Sequence, residues 1–460
     1  VSPMQNFDVL IVGGGPGGYV AAIKAGQLGL KVAVVEKDNV GGVCLNWGCI
    51  PTKTLLKSAK VFEQFKHAKD YGIDVKPDAF TANFPEMIKR KDSVVRRLTG
   101  GVASLLKKNG ATLIKGYAEV LDANHVKVGE ETFESKYLIL ATGASVIMPP
   151  IAGLKEAFEK GFVLTSKEIL DMKTLPQSLV IVGGGVIGLE FATIFNSLGT
   201  KVTVIERLPT ILASVDEELR GLFQKKIIKD GIQLITSASV NAIGTNSVSY
   251  ELEGKTIEIP ADKVLMAVGM KPNTNSFTSL NLTMEKAGVQ VNDHMQTSIP
   301  NVYAIGDVTG KFMLAHVASH AGLVAIDHIQ GHDAKMNYQA IPSGIYTFPE
   351  IAMVGVTEQE AKAKGLDYKV STFPLAANGK AMGENEKDGL VKIIVSKPYN
   401  EIIGVHIMAP SATEMITEAS LAINLEATAE ELVHTIHPHP TLAEMMMEAA
   451  HGIVDKPIHI

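Results

Sequence analysis

The segment FDVLIVGGGPGGYVAAIKAGQLGLKVAVVE, residues 7–36, divides into three parts. The unbroken apolar run at 7–12 is expected of a strand buried on both faces. A glycine-rich turn at 13–18 leads into a helical pattern, and KVAVVE at 31–36 gives a second strand. Together they make one β-α-β unit. The turn fits G-x-G-x-x-G through Gly13, Gly15 and Gly18. The first glycine permits the tight turn, the second lets a pyrophosphate approach the backbone, and the third lets helix and strand pack closely. The helix N-terminus offers free N–H groups and partial positive charge to the phosphates. Glu36 ends the second strand, where a carboxylate can accept both ribose hydroxyls of an adenosine.

The same grammar returns in SLVIVGGGVIGLEFATIFNSLGTKVTVIE, residues 178–206, with Gly183, Gly185 and Gly188 in the turn and Glu206 at the close. Gly13 to Glu36 and Gly183 to Glu206 both span 23 positions. A duplicated, Rossmann-like unit binding two dinucleotides is the economical expectation. A carboxylate at 206 repels a 2′-phosphate, so NAD is expected over NADP. Arg207 beside it reads as a solvated surface residue. The first unit closes in YLILATGA at 137–144, with Thr142 and Gly143, and the second in KVLMAVGM at 263–270, with Gly269. NVYAIGDV at 301–308 is a further buried strand running into Asp307. Beyond about residue 343, period-2 strands alternate with helices, as in an α+β domain. The expected fold class is α/β, with two Rossmann-like dinucleotide-binding domains and a C-terminal α+β domain. The expected boundaries are 1–150 and 272–342 for the first, 151–271 for the second and 343–460 for the last.

Composition agrees with a multidomain chain. Of 460 residues, 46% are apolar and 20% charged, enough to bury a large core. The formal charge of −6 is spread without basic stripes, which argues against a nucleic-acid partner. No apolar run reaches the roughly 18 residues of a membrane span. The first strand starts too early to leave room for a leader, so a cytoplasmic address is expected, although a processed mitochondrial matrix form would look similar.

Only two cysteines occur, Cys44 and Cys49, both in GGVCLNWGCIPTK at 41–53. A four-residue gap can meet the Cα separation of about 7 Å that a disulfide needs, and Gly41, Gly42 and Gly48 supply the freedom. CIPTK reads as the first turn of a helix, where a thiolate is stabilised. Lys53 follows on the same helical face and adds positive charge. Two buried free thiols are the plain alternative. A metal site is disfavoured, because two sulfur ligands without nearby histidines do not complete a tetrahedron. The pair reads as a two-electron relay.

With these motifs in hand, the chain resembles the flavin-dependent disulfide oxidoreductases over essentially its whole length, and most closely the members that oxidise dihydrolipoamide with NAD. The resemblance implies FAD in the first unit and NAD in the second. It makes Cys49 the thiol against the flavin and Cys44 the interchange thiol that meets substrate. Lys53 would lie beside the flavin, paired with Glu190. Thr142, Gly143, Asp307 and Ala315 would join Gly13, Gly15, Gly18 and Glu36 around FAD. Gly269 would join Gly183, Gly185, Gly188 and Glu206 around NAD. One departure is Ala321, where many relatives carry an acid; local tuning of the site is expected from it.

The resemblance also singles out His439 in HPTLAE as catalytic base, oriented by Glu444. Chemistry requires a base, since only a thiolate attacks a disulfide at useful speed. His437 is the rival. Glu444 has a structural reading as well, because Thr441 and Glu444 have capping-box spacing. In the family the C-terminal domain forms a homodimer whose active site is shared between subunits. The lipoyl group would arrive on a lipoyl domain carried by an acyltransferase core. Glutathione-type reductases use NADPH, which Glu206 opposes. Mercuric and large thioredoxin reductases need extra C-terminal redox residues, whereas this chain ends VDKPIHI. A pure assembly subunit would be expected to lose a member of the relay, and none is missing.

Overall fold

The computed structural model describes residues 3–460. Its first sheet is built on the opening segment. Strands Gln5–Val12, Val32–Glu36 and Thr112–Lys115 lie side by side and parallel, with Glu131–Leu140 on the other flank of the first. Val9, Leu10, Ile11 and the run 32–35 are almost fully buried, as continuous apolar strands under helices must be. An antiparallel ribbon, Ala118–Asp122 and His125–Val128, leans on the start of the long strand. The edge strand Val302–Ala304 pairs with its far end.

The second unit repeats this plan. Strands 233–235, 201–205, 178–182 and 263–266 stand in the same parallel order, with an edge strand, Val163–Leu164, beyond them. It too carries an antiparallel ribbon, of three strands between Ala238 and Pro260. The duplication legible in the glycine turns thus extends to strand order. Two short antiparallel strands, Ala144–Val146 and Met270–Pro272, join the units.

The C-terminal portion is a five-stranded antiparallel sheet in the order 343–345, 350–355, 401–409, 390–396, 368–374. Helices Ala412–Asn424 and Glu444–Val454 cover it, and their Ala and Met side chains fill its core.

One buried charge ties this sheet to the second nucleotide unit. The Lys392 ammonium, 2% exposed, meets Glu358 at 2.8 Å, Glu218 at 3.0 Å and the fully buried Asp216 at 3.1 Å. Asp216 accepts from the N–H of Glu218 at 3.0 Å and from that of Glu358 at 3.0 Å. Its carboxylate therefore caps two helices, one from each domain. Burial works against its charge, yet the Glu358 N–H and Lys392 hold the carboxyl below the usual carboxylate range. Lys392→Met strands this buried carboxylate. It should destabilise the protein by about 3–5 kcal/mol, read as an earlier urea unfolding midpoint. Because the folded pKa is depressed, the contribution of Asp216 is full above its unfolded value near 4 and is lost as pH falls through the folded one. The gap between wild type and variant should close in acid. An unchanged midpoint at neutral pH would sink the idea.

Candidate active site

The two glycine turns have matching geometry. Gly13 takes φ +109° and Gly183 φ +116°, and a Cβ on either would stand 2.0 Å from a backbone oxygen, that of Ala141 or Ala267. Only glycine fits there. Gly18 and Gly188 press on the carbonyls of Gly13 and Gly183, where a Cβ would sit 1.8 and 2.4 Å away. The middle glycines differ. A Cβ on Gly185 would meet nothing within 4 Å, and one on Gly15 only the Gly42 Cα at 3.6 Å. These are the open cradles a pyrophosphate needs.

Glu36 and Glu206 do something the sequence did not reveal. Each carboxylate first holds its own turn. Glu36 accepts from the N–H of Gly14 and of Asp38, both at 2.8 Å. Glu206 accepts from Gly184 at 2.6 Å and Leu208 at 2.9 Å. A carboxylate has about four acceptor sites, so each keeps capacity for ribose hydroxyls while standing rigid. Arg207 is exposed, as expected.

Asp307 sits in the turn Gly306–Thr309, just after the strand Val302–Ala304. Burial pushes its carboxyl up to about 6, and among the described residues none donates a hydrogen bond to that carboxylate. Such a group fits a hydroxyl-rich ligand. Ala315 opens the helix Ala315–Ile329, whose N-terminus has no side-chain cap and keeps its first N–H groups available. That helix packs tightly on Pro16–Gln27, for a Cβ on Gly322 would meet the Gly17 carbonyl at 2.8 Å. Asp307, the Ala315 turn and the Gly13–Gly18 turn form a set suited to FAD. Ala321 is buried and lines a small cavity with Gly306, Val317 and Met336.

Thr142, Gly143 and Gly269 lie where the units join. The Thr142 hydroxyl donates to the Asn273 carbonyl at 2.6 Å, the Asn273 N–H donates to Gly143 O at 2.9 Å, and Gly269 O accepts from Ile147 at 2.9 Å.

The cysteine segment is docked onto the first glycine turn. The Gly41 N–H donates to Gly14 O at 2.8 Å, and a Cβ on Gly42 would strike the Gly15 Cα at 2.6 Å. Cys44 lies in the short helix Gly42–Trp47, and Cys49 is the first residue of the helix Cys49–Lys66. Both thiols are half-buried. Contact with the Cys44 thiol, then the Lys53 ammonium, brings Cys49 down to about 7 against the opposition of burial. The same contact, with burial, pushes Cys44 well up. The sequence reading credited the helix start and Lys53; the partner thiol is the larger cause.

Lys53 and Glu190 meet at 2.9 Å. Glu190 is buried at 3% exposure, so it is no helix-surface acid. Its second contact was not legible in the sequence, since the Tyr346 N–H donates to Glu190 Oε1 at 3.1 Å from 156 positions away.

At the C-terminal end, His439 Nδ1 lies 2.8 Å from Glu444 Oε1, with the imidazole largely exposed. Glu444 Oε2 accepts from the Thr441 N–H at 2.8 Å, and the Glu444 N–H donates to the Thr441 hydroxyl at 3.3 Å. The reciprocal Thr441–Glu444 bonds and the histidine contact therefore coexist. Burial opposes the Glu444 charge, but the Thr441 N–H and His439 keep its carboxyl below the usual range. His437 is different. Its ring is 4% exposed, with one nitrogen against Glu418 and the other on the Thr435 carbonyl. Neither nitrogen is free, whereas His439 keeps Nε2. Among the described residues, no hydrogen bond or ion pair joins the His439–Glu444 cluster to the thiols.

The pyridine nucleotide-disulphide oxidoreductase family model matches residues 7–322, and the model of that family's dimerisation domain matches 341–450. A dihydrolipoyl dehydrogenase of Acholeplasma laidlawii is 52% identical, covering 73% of this chain and 99% of the relative. That of Geobacillus stearothermophilus is 42% identical over 98% of this chain and 97% of the relative. Among solved structures, LpdA of Mycobacterium tuberculosis superposes with a TM-score of 0.88 at 26% identity, over 98% of this chain and 100% of that one. The flavoprotein disulfide reductase RclA of Escherichia coli, as its Cu(II) complex, gives 0.87 at 26% identity with the same coverage. The described residues contain no helix long and apolar enough to cross a membrane. FAD and NAD are the cofactors, the dimerisation domain makes the protein a homodimer, and the chain belongs to the pyridine nucleotide-disulphide oxidoreductase family.

Proposed function

We propose that the protein oxidises protein-bound dihydrolipoamide to lipoamide and reduces NAD⁺ to NADH, with Cys44 and Cys49 as its redox pair. The observation that carries this is the asymmetry of the two thiols. In disulfide exchange the sulfur of lower pKa leaves faster. Cys49 opens the helix Cys49–Lys66 with Lys53 on the same face, whereas Cys44 lies in the short helix Gly42–Trp47. The Cys49 thiolate is therefore the better leaving group, and a substrate thiolate attacks Cys44.

His439, with Nδ1 held by Glu444, takes the first proton of the dithiol at Nε2. The thiolate then forms a bond to the Cys44 sulfur, and the Cys44–Cys49 bond breaks. The second substrate sulfur closes the lipoamide ring and expels Cys44. His439 passes the first proton to the Cys44 sulfur and takes the proton of the second thiol, so that one substrate proton ends on Cys44 and the other on His439. The disulfide has gained two electrons and the substrate has lost two. FAD, when bound, supplies the two-electron acceptor that links this pair to NAD⁺. The Lys53 ammonium steadies the Cys49 thiolate while Glu190 fixes that ammonium. Gly13, Gly15, Gly18, Glu36, Thr142, Gly143, Asp307 and Ala315 serve FAD in this reading. Gly183, Gly185, Gly188, Glu206 and Gly269 serve NAD.

The same reading divides the chain at 150, 271 and 342, and places His439 at the thiols of the partner subunit. The lipoyl group comes on the lipoyl domain of a 2-oxo acid dehydrogenase or glycine cleavage complex. That places the enzyme with such a complex in the cytoplasm, or in the mitochondrial matrix if the source is eukaryotic. The test is steady-state oxidation of dihydrolipoamide with NAD⁺ against NADP⁺. The rigid Glu206 carboxylate should favour NAD⁺ by about 100-fold or more in kcat/KM. Preference for NADP⁺ would point to a reductase of the glutathione type and overturn the assignment.

A further inference from the structure

The loop that opens the C-terminal sheet reaches back into the thiol site. Along Ile345-Tyr346-Thr347-Phe348 the side chains alternate. Ile345 and Thr347 are buried, and the Thr347 hydroxyl donates to the Pro349 carbonyl at 2.8 Å. Tyr346 and Phe348 face the helix Cys49–Lys66. Lys53 Nζ stands 4.6 Å from the centre of the Tyr346 ring, and Lys60 Nζ 6.0 Å from that of Phe348. The Tyr346 N–H also donates to Glu190 at 3.1 Å. One residue thus touches both members of the ion pair, and it comes from a different domain than either.

We propose that Tyr346 is a positioning residue for the thiol exchange: its ring and its backbone N–H together hold Lys53 and Glu190 in place beside the Cys49 sulfur. This rests on the redox-pair reading above. A lysine ammonium is strongly hydrated and rides on a flexible stem, and Lys53 is 30% exposed. Glu190 pairs with it, but a carboxylate there also acts against the Cys49 thiolate. The aromatic face attracts the ammonium through its quadrupole and adds no negative charge. The backbone N–H draws on the Glu190 charge from the other side. Around Cys49 the titratable groups are Cys44, Lys53, Glu190 and Tyr19, and Lys53 is the cation among them.

The experiment follows the pH dependence of cysteine alkylation by iodoacetamide on the reduced holoenzyme, with each modified cysteine assigned by peptide mass. Tyr346→Leu and Tyr346→Met fill the volume without a π face, and Tyr346→Phe keeps the face. All three keep the backbone N–H, so the ring alone is tested. Tyr346→Phe should titrate as wild type. The other two should raise the midpoint by about 0.5–1 pH unit, equivalent to about three- to tenfold less thiolate below it. If neither ring-less variant shifts the midpoint, or if Tyr346→Phe shifts it as far, the proposal fails. A wild type with no cysteine titrating below the free-thiol value fails differently. It overturns the redox-pair reading itself, and this inference with it.

Discussion

Cys44→Ser should abolish dihydrolipoamide oxidation, lowering kcat by on the order of 10⁴-fold or more. A hydroxyl cannot form the disulfide that stores two electrons, and Cys49 is left without a partner thiol, because the chain has only two cysteines. The size of the loss separates this from a folding defect. Serine fits the space, and the docking of this segment rests on the Gly41–Gly14 hydrogen bond and the Gly42–Gly15 contact rather than on the sulfur. FAD content and thermal unfolding should therefore stay at wild-type values. Turnover that survives with normal kcat would remove the relay from the mechanism.

His439→Gln comes next in size, with kcat/KM for dihydrolipoamide expected to fall by about 10²–10⁴-fold. Glutamine keeps much of the shape and loses the titratable nitrogen. The deficit should shrink as pH rises, because the dithiol then ionises without help. His437→Gln should cost far less, since that ring is buried with both nitrogens engaged by Glu418 and Thr435. A pH–rate profile for each variant decides between them. Equal losses at 437 and 439, or a His439→Gln deficit independent of pH, would take the base away from His439.

What the sequence made legible follows from the range of the interactions. A β-α-β unit is local: strand, turn, helix and acid fall within 30 residues, so composition and spacing expose it twice. The thiol pair and Lys53 share a short segment and were readable for the same reason. Convergence across distant segments left no such trace. Nothing in GIYTFPE announces that Tyr346 meets Lys53 and Glu190, and no spacing links Lys392 to Asp216, 176 positions earlier. The choice between His437 and His439 needed the surroundings of each ring. The hold of Glu36 and Glu206 on their own turns escaped notice although the partners lie within 22 positions. Spacing suggests a ligand for an acid at a strand end, and it does not reveal that the acid is already bonded.

The edge strand of the first sheet has a consequence for how the chain is made. Ala304 pairs with Leu140, 164 positions earlier, and the parallel strands of the second unit all lie between Val163 and Met266. On a ribosome adding roughly 5–20 residues per second, the first sheet waits about 8–30 s for its last strand. The inserted unit meets no such delay, because its sequence is continuous. The second nucleotide domain therefore closes first, and the first domain, with Gly13 at one end and Asp307 at the other, is completed around a neighbour that has already folded.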